Sequence, residues 1–384
     1  MEFSTNPDHE ALRKAVADIC DGFGPQWYVE HAERREPTTQ LWETLGKHGY
    51  IGINIPEEHG GGGAGLTELA IVVEESAARG TPLLLLLVAS AISAEVIATY
   101  GSDEQKAHWL PRLADGSGKV VFAITEPDAG SNSHQLSTTA SKDGDQWVLT
   151  GQKYYISGVD EADAILVVAR TGTDEATGRG RLSLFIVDTD APGLEKTPLP
   201  VSVTLPDKQF TLHFDDVRLP ADRLVGTEGD GLRQVFRGLN PERITGAALC
   251  VGIGRHVLAQ ASAYANTREV WGTPIGTHQG VSHALAKAKI EVELAALMTA
   301  RAAWLHDQGM PAGEASNMAK YAAAEAALAA TDAAIQTHGG NGLATEYGLL
   351  PYWGLARLLR IAPVNREMVL NFVAQNSLGL PRSY

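Results

Sequence analysis

The stretch Phe122-Ala-Ile-Thr-Glu-Pro-Asp-Ala-Gly-Ser-Asn132 carries residue types that could hold a polar ligand. An apolar, β-prone run (Val120, Val121, Phe122, Ile124) leads through Thr125 into a sharp turn at Pro127, Asp128 and Gly130, which ends in Ser131 and Asn132. A strand entering such a turn exposes backbone N–H groups and hydroxyls in a concave loop, suited to an anionic group or a polar ring edge. The same residues fit an ordinary strand-to-turn exit, and on their own they leave both open.

Other familiar chemistries are poorly supported. Gly60, Gly62 and Gly65 formally satisfy G-x-G-x-x-G, but a dinucleotide site needs a strand immediately before the glycines and a βαβ unit around them. Pro56, Glu57 and Glu58 intervene and the following segment reads as helical, so a flexible connector is expected. Gly116-Ser-Gly-Lys119 lacks the leading Gly and trailing Ser/Thr of a phosphate-binding loop. There is no H-E-x-x-H, no G-x-S-x-G and no metal-spaced His pair, and the 12 His are scattered.

The elements that must position such residues fall into three blocks. The chain has 384 residues, is 44% hydrophobic and 20% charged, and is long enough for two or three domains with a large core. A net charge of −15 argues against nucleic acid and anionic membrane surfaces as partners. Cys20 and Cys250 are the only cysteines and no C-x-x-C occurs, which fits a reducing, cytoplasmic setting. The acidic N-terminus does not read as a signal peptide, and the apolar run Pro82–Ala94 is too short to span a bilayer and reads as a buried helix. Residues 1–118 read as a helical domain: Leu12, Val16, Ile19 and Phe23 share a face, as do Leu41, Leu45 and His48, and Asp103 opens a helix before Gln105–Leu113. Residues 119–227 read as a β domain (barrel or sandwich), with short strands at Gln146–Thr150, Lys153–Ser157, Ala164–Ala169, Leu182–Val187 and Phe210–Phe214 and a hairpin signal at Asp143-Gly144. Residues 228–384 return to helices, expected at Asp230–Leu239, Pro241–Thr267, His278–His306, Ala312–His338 and Tyr352–Gln375. The expected class is α+β, multidomain.

Against that frame four dispersed motifs resemble the acyl-CoA dehydrogenase family across nearly the whole chain. Thr125-Glu-Pro-Asp-Ala-Gly-Ser131 is similar to its flavin-contacting loop, and Gly151-Gln-Lys-Tyr-Tyr-Ile-Ser157 to the strand beside the flavin ring, with Tyr155 where Trp is usual. Arg268-Glu-Val-Trp-Gly-Thr-Pro-Ile-Gly-Thr-His-Gln279 and Gln336-Thr-His-Gly-Gly-Asn-Gly342 resemble the family's two further cofactor motifs. The resemblance implies bound FAD and an N-terminal helical domain, a middle β domain and a C-terminal four-helix bundle. It implies FAD contacts from Phe122, Ile124, Thr125, Gly130, Ser131, Tyr155, Ile156 and Ser157, from Arg268, Trp271, His278 and Gln279, from Gln336, Gly339 and Gly340, and from Asn365 and Glu367 near the C-terminus. Arg268 suits a pyrophosphate as a bidentate cation, and Gly339 and Gly340 permit close backbone approach. The alternative for Arg268 is a surface ion pair. By resemblance Arg268 and residues 336–340 serve a neighbouring subunit's FAD, implying a homo- or heterotetramer, and an electron-transferring flavoprotein accepts the electrons.

Desaturating an acyl thioester, on CoA or on a carrier, requires a carboxylate aimed at the α-carbon while the β-hydride passes to the flavin. Many members carry that Glu in a C-terminal Tyr-Glu-Gly-Thr, which aligns here with Ala362-Pro363-Val364-Asn365. Proline cannot ionise. Isovaleryl- and long-chain-type members carry the base in an x-x-x-Glu-Arg similar to Leu239-Asn-Pro-Glu-Arg243, which makes Glu242 the expected base. Arg243, Asn240 and Ser131 are then expected to meet the substrate. Asn240 would cap a helix starting at Pro241, favouring the ionised acid, whereas burial would oppose it; a first-turn acid with only a dipole role is the alternative. The loss of both Tyr and Glu near Pro363 favours a branched, cyclic or bulky acyl group. The missing C-terminal Glu also allows a non-catalytic partner subunit, and the fold would also suit a flavin oxidase or monooxygenase.

Overall fold

The computed structural model describes residues 6–382. Six helices lead: α1 (Pro7–Asp21), α2 (Gly24–Arg34), α3 (Thr39–Lys47), α4 (Leu66–Ala78), α5 (Glu95–Tyr100) and α6 (Asp103–Ala114). Their starts follow from local chemistry. The Asn6 side chain accepts from Asp8 N with Pro7 at the first position of α1, and Ser102 and Gln105 form a reciprocal capping box on α6. Helix α3 stops at Lys47, so His48 is its C-cap rather than a residue of its apolar face. The apolar run is helical and buried, wound as a wide π-helix over Leu86–Ala94 that flows into α5.

The glycine-rich connector precedes α4 without a strand before it. Asp307 occupies the α4 N-terminus, where its carboxylate accepts from Leu66 N (2.7 Å) and Thr67 N (2.9 Å). The donors and positive dipole end that a phosphate would use are already satisfied. A Cβ on Gly65 would lie 2.7 Å from that carboxylate, which explains a glycine at this position.

The middle of the chain forms an eight-stranded sheet: β1 (Val120–Ala123), β2 (Thr139–Asp143), β3 (Gln146–Ser157), β4 (Ala164–Thr173), β5 (Gly180–Asp188), β6 (Leu194–Leu199), β7 (Gln209–Pro220) and β8 (Leu224–Val225). The order is β6-β7-β3-β2-β4-β5-β8, with β1 parallel to β4, Val120 opposite Ala164. The β2–β3 hairpin closes with Asp143 opposite Gln146 and Gly144 at φ +63. The two strands expected at 146–150 and 153–157 are one strand, β3, with register breaks between Leu149 and Gly151 and between Lys153 and Ile156. Those breaks re-aim side chains without ending the strand.

The C-terminal part comprises α7 (Gly231–Thr267), a small hairpin of β9 (Glu269–Val270) and β10 (Thr273–Pro274), α8 (Gln279–Asp307), α9 (Gly313–His338), α10 (Leu349–Ile361) and α11 (Arg366–Phe372). Two expected helices, 230–239 and 241–267, are one helix, and Pro241 lies inside it. Proline there forgoes an intrahelical hydrogen bond, but Gln234, Val235, Gly238 and Pro241 are all buried, and a Cβ on Gly238 would touch Ile92 and Val96. Burial overrides the local stop signal. In the other direction, the single helix expected at 352–375 breaks at Ala362–Asn365, where Pro363 cannot continue it and Asn365 caps α11 through Met368 N (2.8 Å). Helix α7 is long and apolar enough to cross a membrane, but 78% of its most apolar window is buried within the fold. Ala319, Ala323, Ala327, Ala330 and Ala334 line the buried face of α9 and let its neighbours approach closely.

Candidate active site

The loop after β1 is built on a buried ion pair. Lys153, fully buried on β3, donates to Glu126 (2.8 Å) and to the carbonyl of Ile124 (3.0 Å). Glu126 also accepts from Ser137 N, Ser137 Oγ and Thr138 N at 2.6, 2.7 and 3.0 Å. Burial alone would raise its pKa, but Lys153 and these donors overcome that and hold it down at about 2. Tyr154 N donates to the Thr125 carbonyl (2.9 Å), so loop and strand are locked together. Thr125, Phe122 and Ile124 are half-buried, while Gly130 and Ser131 are exposed.

Beside this loop, β3 presents Tyr155 with left-handed backbone (φ 58) and 54% exposure, next to buried Ile156. Ser157 Oγ donates to Gln209 Oε1 (3.0 Å), and the buried Gln209 Nε2 has no partner. Sequence reasoning missed Gln209 and the Glu126–Lys153 pair, although both members of the pair lie inside motifs already singled out.

Glu242 lies well inside α7, not at its start, so the dipole contribution expected there does not apply. Asn240 is not a cap: its Oδ1 accepts from Arg243 Nη1 (3.0 Å), leaving the buried Arg243 Nε unpartnered. The Glu242 carboxylate has no hydrogen-bond or ion-pair partner among the described residues. Burial pushes its pKa up to about 8 despite the opposing pull of Arg243 and Lys320. One helical turn on, a Cβ added to Gly246 would meet Leu87, Leu359 and Pro363 at 3.6, 3.9 and 4.0 Å. Pro363 therefore packs against α7 one helical turn from Glu242. Asn365 Nδ2 donates to Ser131 Oγ (2.8 Å), which ties this corner to the loop after β1. Glu367 is exposed in the first turn of α11.

The remaining residues gather elsewhere. Arg268 is the C-cap of α7, roughly 39 Å along the axis from Glu242. Its exposed guanidinium has no ion-pair partner among the described residues. Trp271, at the tip of the β9–β10 hairpin, has φ 52, is 88% exposed and meets His278 edge-on at 5.8 Å between ring centroids. The buried His278 Nε2 is unpartnered, and Gln279 opens α8, exposed. Tyr264 of α7 stacks on His338 (4.2 Å between ring centroids), which brings the exposed Gln336, Gly339 and Gly340 to this same end. No atom lies within 4 Å of a Cβ built on Gly339 or Gly340. One chain thus carries two separate half-sites, one well inside α7 and one at its C-terminal end.

Unsatisfied donors, a free cation and open glycine backbone suit a dinucleotide whose ring and phosphates need hydrogen bonds. Comparison with known sequence families matches residues 6–117, 121–217 and 229–378 to the N-terminal, middle and C-terminal domains of acyl-CoA dehydrogenase. The chain is 56% identical over 384 residues to the acyl-CoA dehydrogenase FadE12 of Mycobacterium tuberculosis, covering 100% of this chain and 99% of that one. Among solved structures it resembles butyryl-CoA dehydrogenase from Megasphaera elsdenii (TM-score 0.92, 27% identity, 98% and 100% coverage). It is also similar to a glutaryl-CoA dehydrogenase from Mycobacterium smegmatis in complex with FADH2 (TM-score 0.92, 26% identity, 99% and 97% coverage).

Proposed function

Because this chain belongs to the acyl-CoA dehydrogenase family, and is thus an FAD-dependent enzyme that oxidises acyl-CoA, we propose that Glu242 is the base that removes the substrate's α-proton. The observation that carries this is an unpaired, largely desolvated carboxylate one helical turn from the point where Pro363 meets α7. Bound FAD supplies the hydride acceptor. Thr125, Ser157 and Gln209 supply hydrogen bonds for its ring, Tyr155 and Ile156 flank it, and Ser131 lies on the substrate side with Asn365 holding its hydroxyl. Arg243, braced by Asn240, borders the acyl thioester, and the raised affinity of Glu242 for a proton matches it to a weakly acidic C–H.

The half-site at the far end of α7 cannot fold back onto the first, because one helix fixes both. Arg268, Trp271, His278, Gln279, Gln336, Gly339 and Gly340 therefore serve the FAD of another copy, in a tetramer. Pro363, where many relatives carry an acidic side chain, supports a branched, cyclic or bulky acyl group. An electron-transferring flavoprotein is the proposed acceptor, and two free, buried cysteines support a reducing cytoplasm.

Anaerobic mixing with a panel of branched and straight acyl-CoA thioesters tests the assignment. Wild-type flavin should bleach, and Glu242→Gln should slow bleaching by about 10²–10⁴-fold. Bleaching that survives the substitution removes Glu242 as base. Rapid peroxide formation in air would mark an oxidase instead, and colour that needs a second polypeptide would mark a partner subunit.

A further inference from the structure

Lys320 is the one basic residue in the alanine-rich stretch of α9 from Ala315 to Ala334, and it is 2% exposed. Its Nζ donates to the carbonyls of Arg360 (3.3 Å), in the last turn of α10, and of Val364, within the break between α10 and α11. Pro363 lies in that break, in contact range of a Cβ on Gly246, one turn from Glu242. A buried ammonium costs several kcal/mol to desolvate and is rarely kept for packing alone. Burial pulls the pKa of Lys320 down to about 8, so it carries its charge below that value, the range in which Glu242 gains its proton. Two of its three donors are used on the break, leaving one over.

The charges around it are accounted for. Arg360 pairs with Glu325 (2.6 and 3.1 Å), Arg366 lies 3.6 Å from the same carboxylate, and Glu367 is exposed. From α7 the facing groups are Glu242, Arg243 and the Cys250 thiol. The segment Leu86–Ala94, which meets α7 at the same Gly246, contributes no ionisable group.

We propose that Lys320 is a positioning residue for proton removal: its ammonium pins the break at Pro363 and Val364 beside α7 and supplies the buried positive charge that keeps the Glu242 carboxylate ready to take a proton. This rests on Glu242 being the base. A nearby cation favours the ionised acid, so removing it raises the pH at which Glu242 ionises and moves the acid limb of activity upward.

Lys320→Gln keeps hydrogen-bond donors and loses the charge, whereas Lys320→Arg keeps the charge. Two readouts on the flavin-loaded enzyme test the idea: the pH profile of flavin reduction by an acyl-CoA, and infrared titration of the Glu242 carboxyl band, assigned by its loss in Glu242→Gln. With Lys320→Gln both should shift to higher pH by about one unit, which is about a ten-fold loss of rate below the limb with the high-pH plateau retained. Lys320→Arg should restore the wild-type position. A uniform loss at every pH with an unmoved carboxyl band overturns the proposal. If Lys320→Gln does not retain flavin, Lys320→Arg decides alone, because a displaced carboxyl band despite the retained charge also overturns it. If Glu242→Gln still reduces flavin, the base assignment fails. If it does not, but the Lys320 variants leave both readouts unmoved, the role of Lys320 fails by itself.

Discussion

At the scale of single residues, two carboxylates show opposite environments. Glu126 meets an ammonium and three donors, so its charge is favoured, whereas Glu242 has no hydrogen-bonded partner and its charge is disfavoured. Removing one member of a buried ion pair leaves the other uncompensated, so Lys153→Met should cost about 3–5 kcal/mol in urea unfolding and release flavin as the Thr125 loop loosens. Unchanged stability would mean that Glu126 is relieved by protonation at little cost. Glu242 gives the pH dependence. Its proton is bound below about 8, and only the ionised form accepts a proton from substrate, so flavin reduction should rise with pH and level off above that value. A flat profile between pH 6 and 9 would contradict the environment described for it.

At the scale of elements, helix ends and helix continuity decide where these groups lie. Asp307, from the end of α8, caps the start of α4 and so anchors the glycine-rich connector to the C-terminal helices. Asp307→Ala should lower stability by about 0.5–2 kcal/mol, measured by denaturant midpoint, with little change in flavin reduction rate. Much of this level was legible in the chain. The hairpin at Asp143-Gly144, the buried run before Glu95 and the strand leading into the turn at Pro127 depend on local residue types, and the structure carries each of them in the element expected. The continuity of α7 was not legible, because Asn240-Pro241 has the chemistry of a helix start and only the burial of Gln234, Val235 and Gly238 overrides it. Nor was the Glu126–Lys153 pair, since nothing local says that two residues 27 positions apart share one buried hydrogen-bonded ion pair. Lys320 left a faint signal, a lone basic residue among alanines, whose partners only the break after α10 reveals.

At the scale of the whole molecule, each chain holds Glu242 well inside α7 and Arg268 at its C-terminal end. If a working site draws its base from one copy and its cofactor clamp from another, two differently damaged chains should repair each other. Glu242→Gln and Arg268→Met homo-oligomers should each reduce flavin poorly, while co-expressed mixtures recover a measurable fraction of wild-type activity. Mixtures no better than the two parents would show that both groups act within a single chain.

An indole surrounded by water emits at longer wavelength than one pressed against protein, and a neighbouring isoalloxazine quenches it. Trp271 stands almost bare on its hairpin in the single chain. Its light, isolated as the difference between wild-type and Trp271→Phe spectra, should therefore dim and move to the blue as dilute apo-subunits associate and take up flavin. Emission that stays red and bright through association would leave the hairpin in solvent and its neighbour Arg268 without a second copy's cofactor to hold.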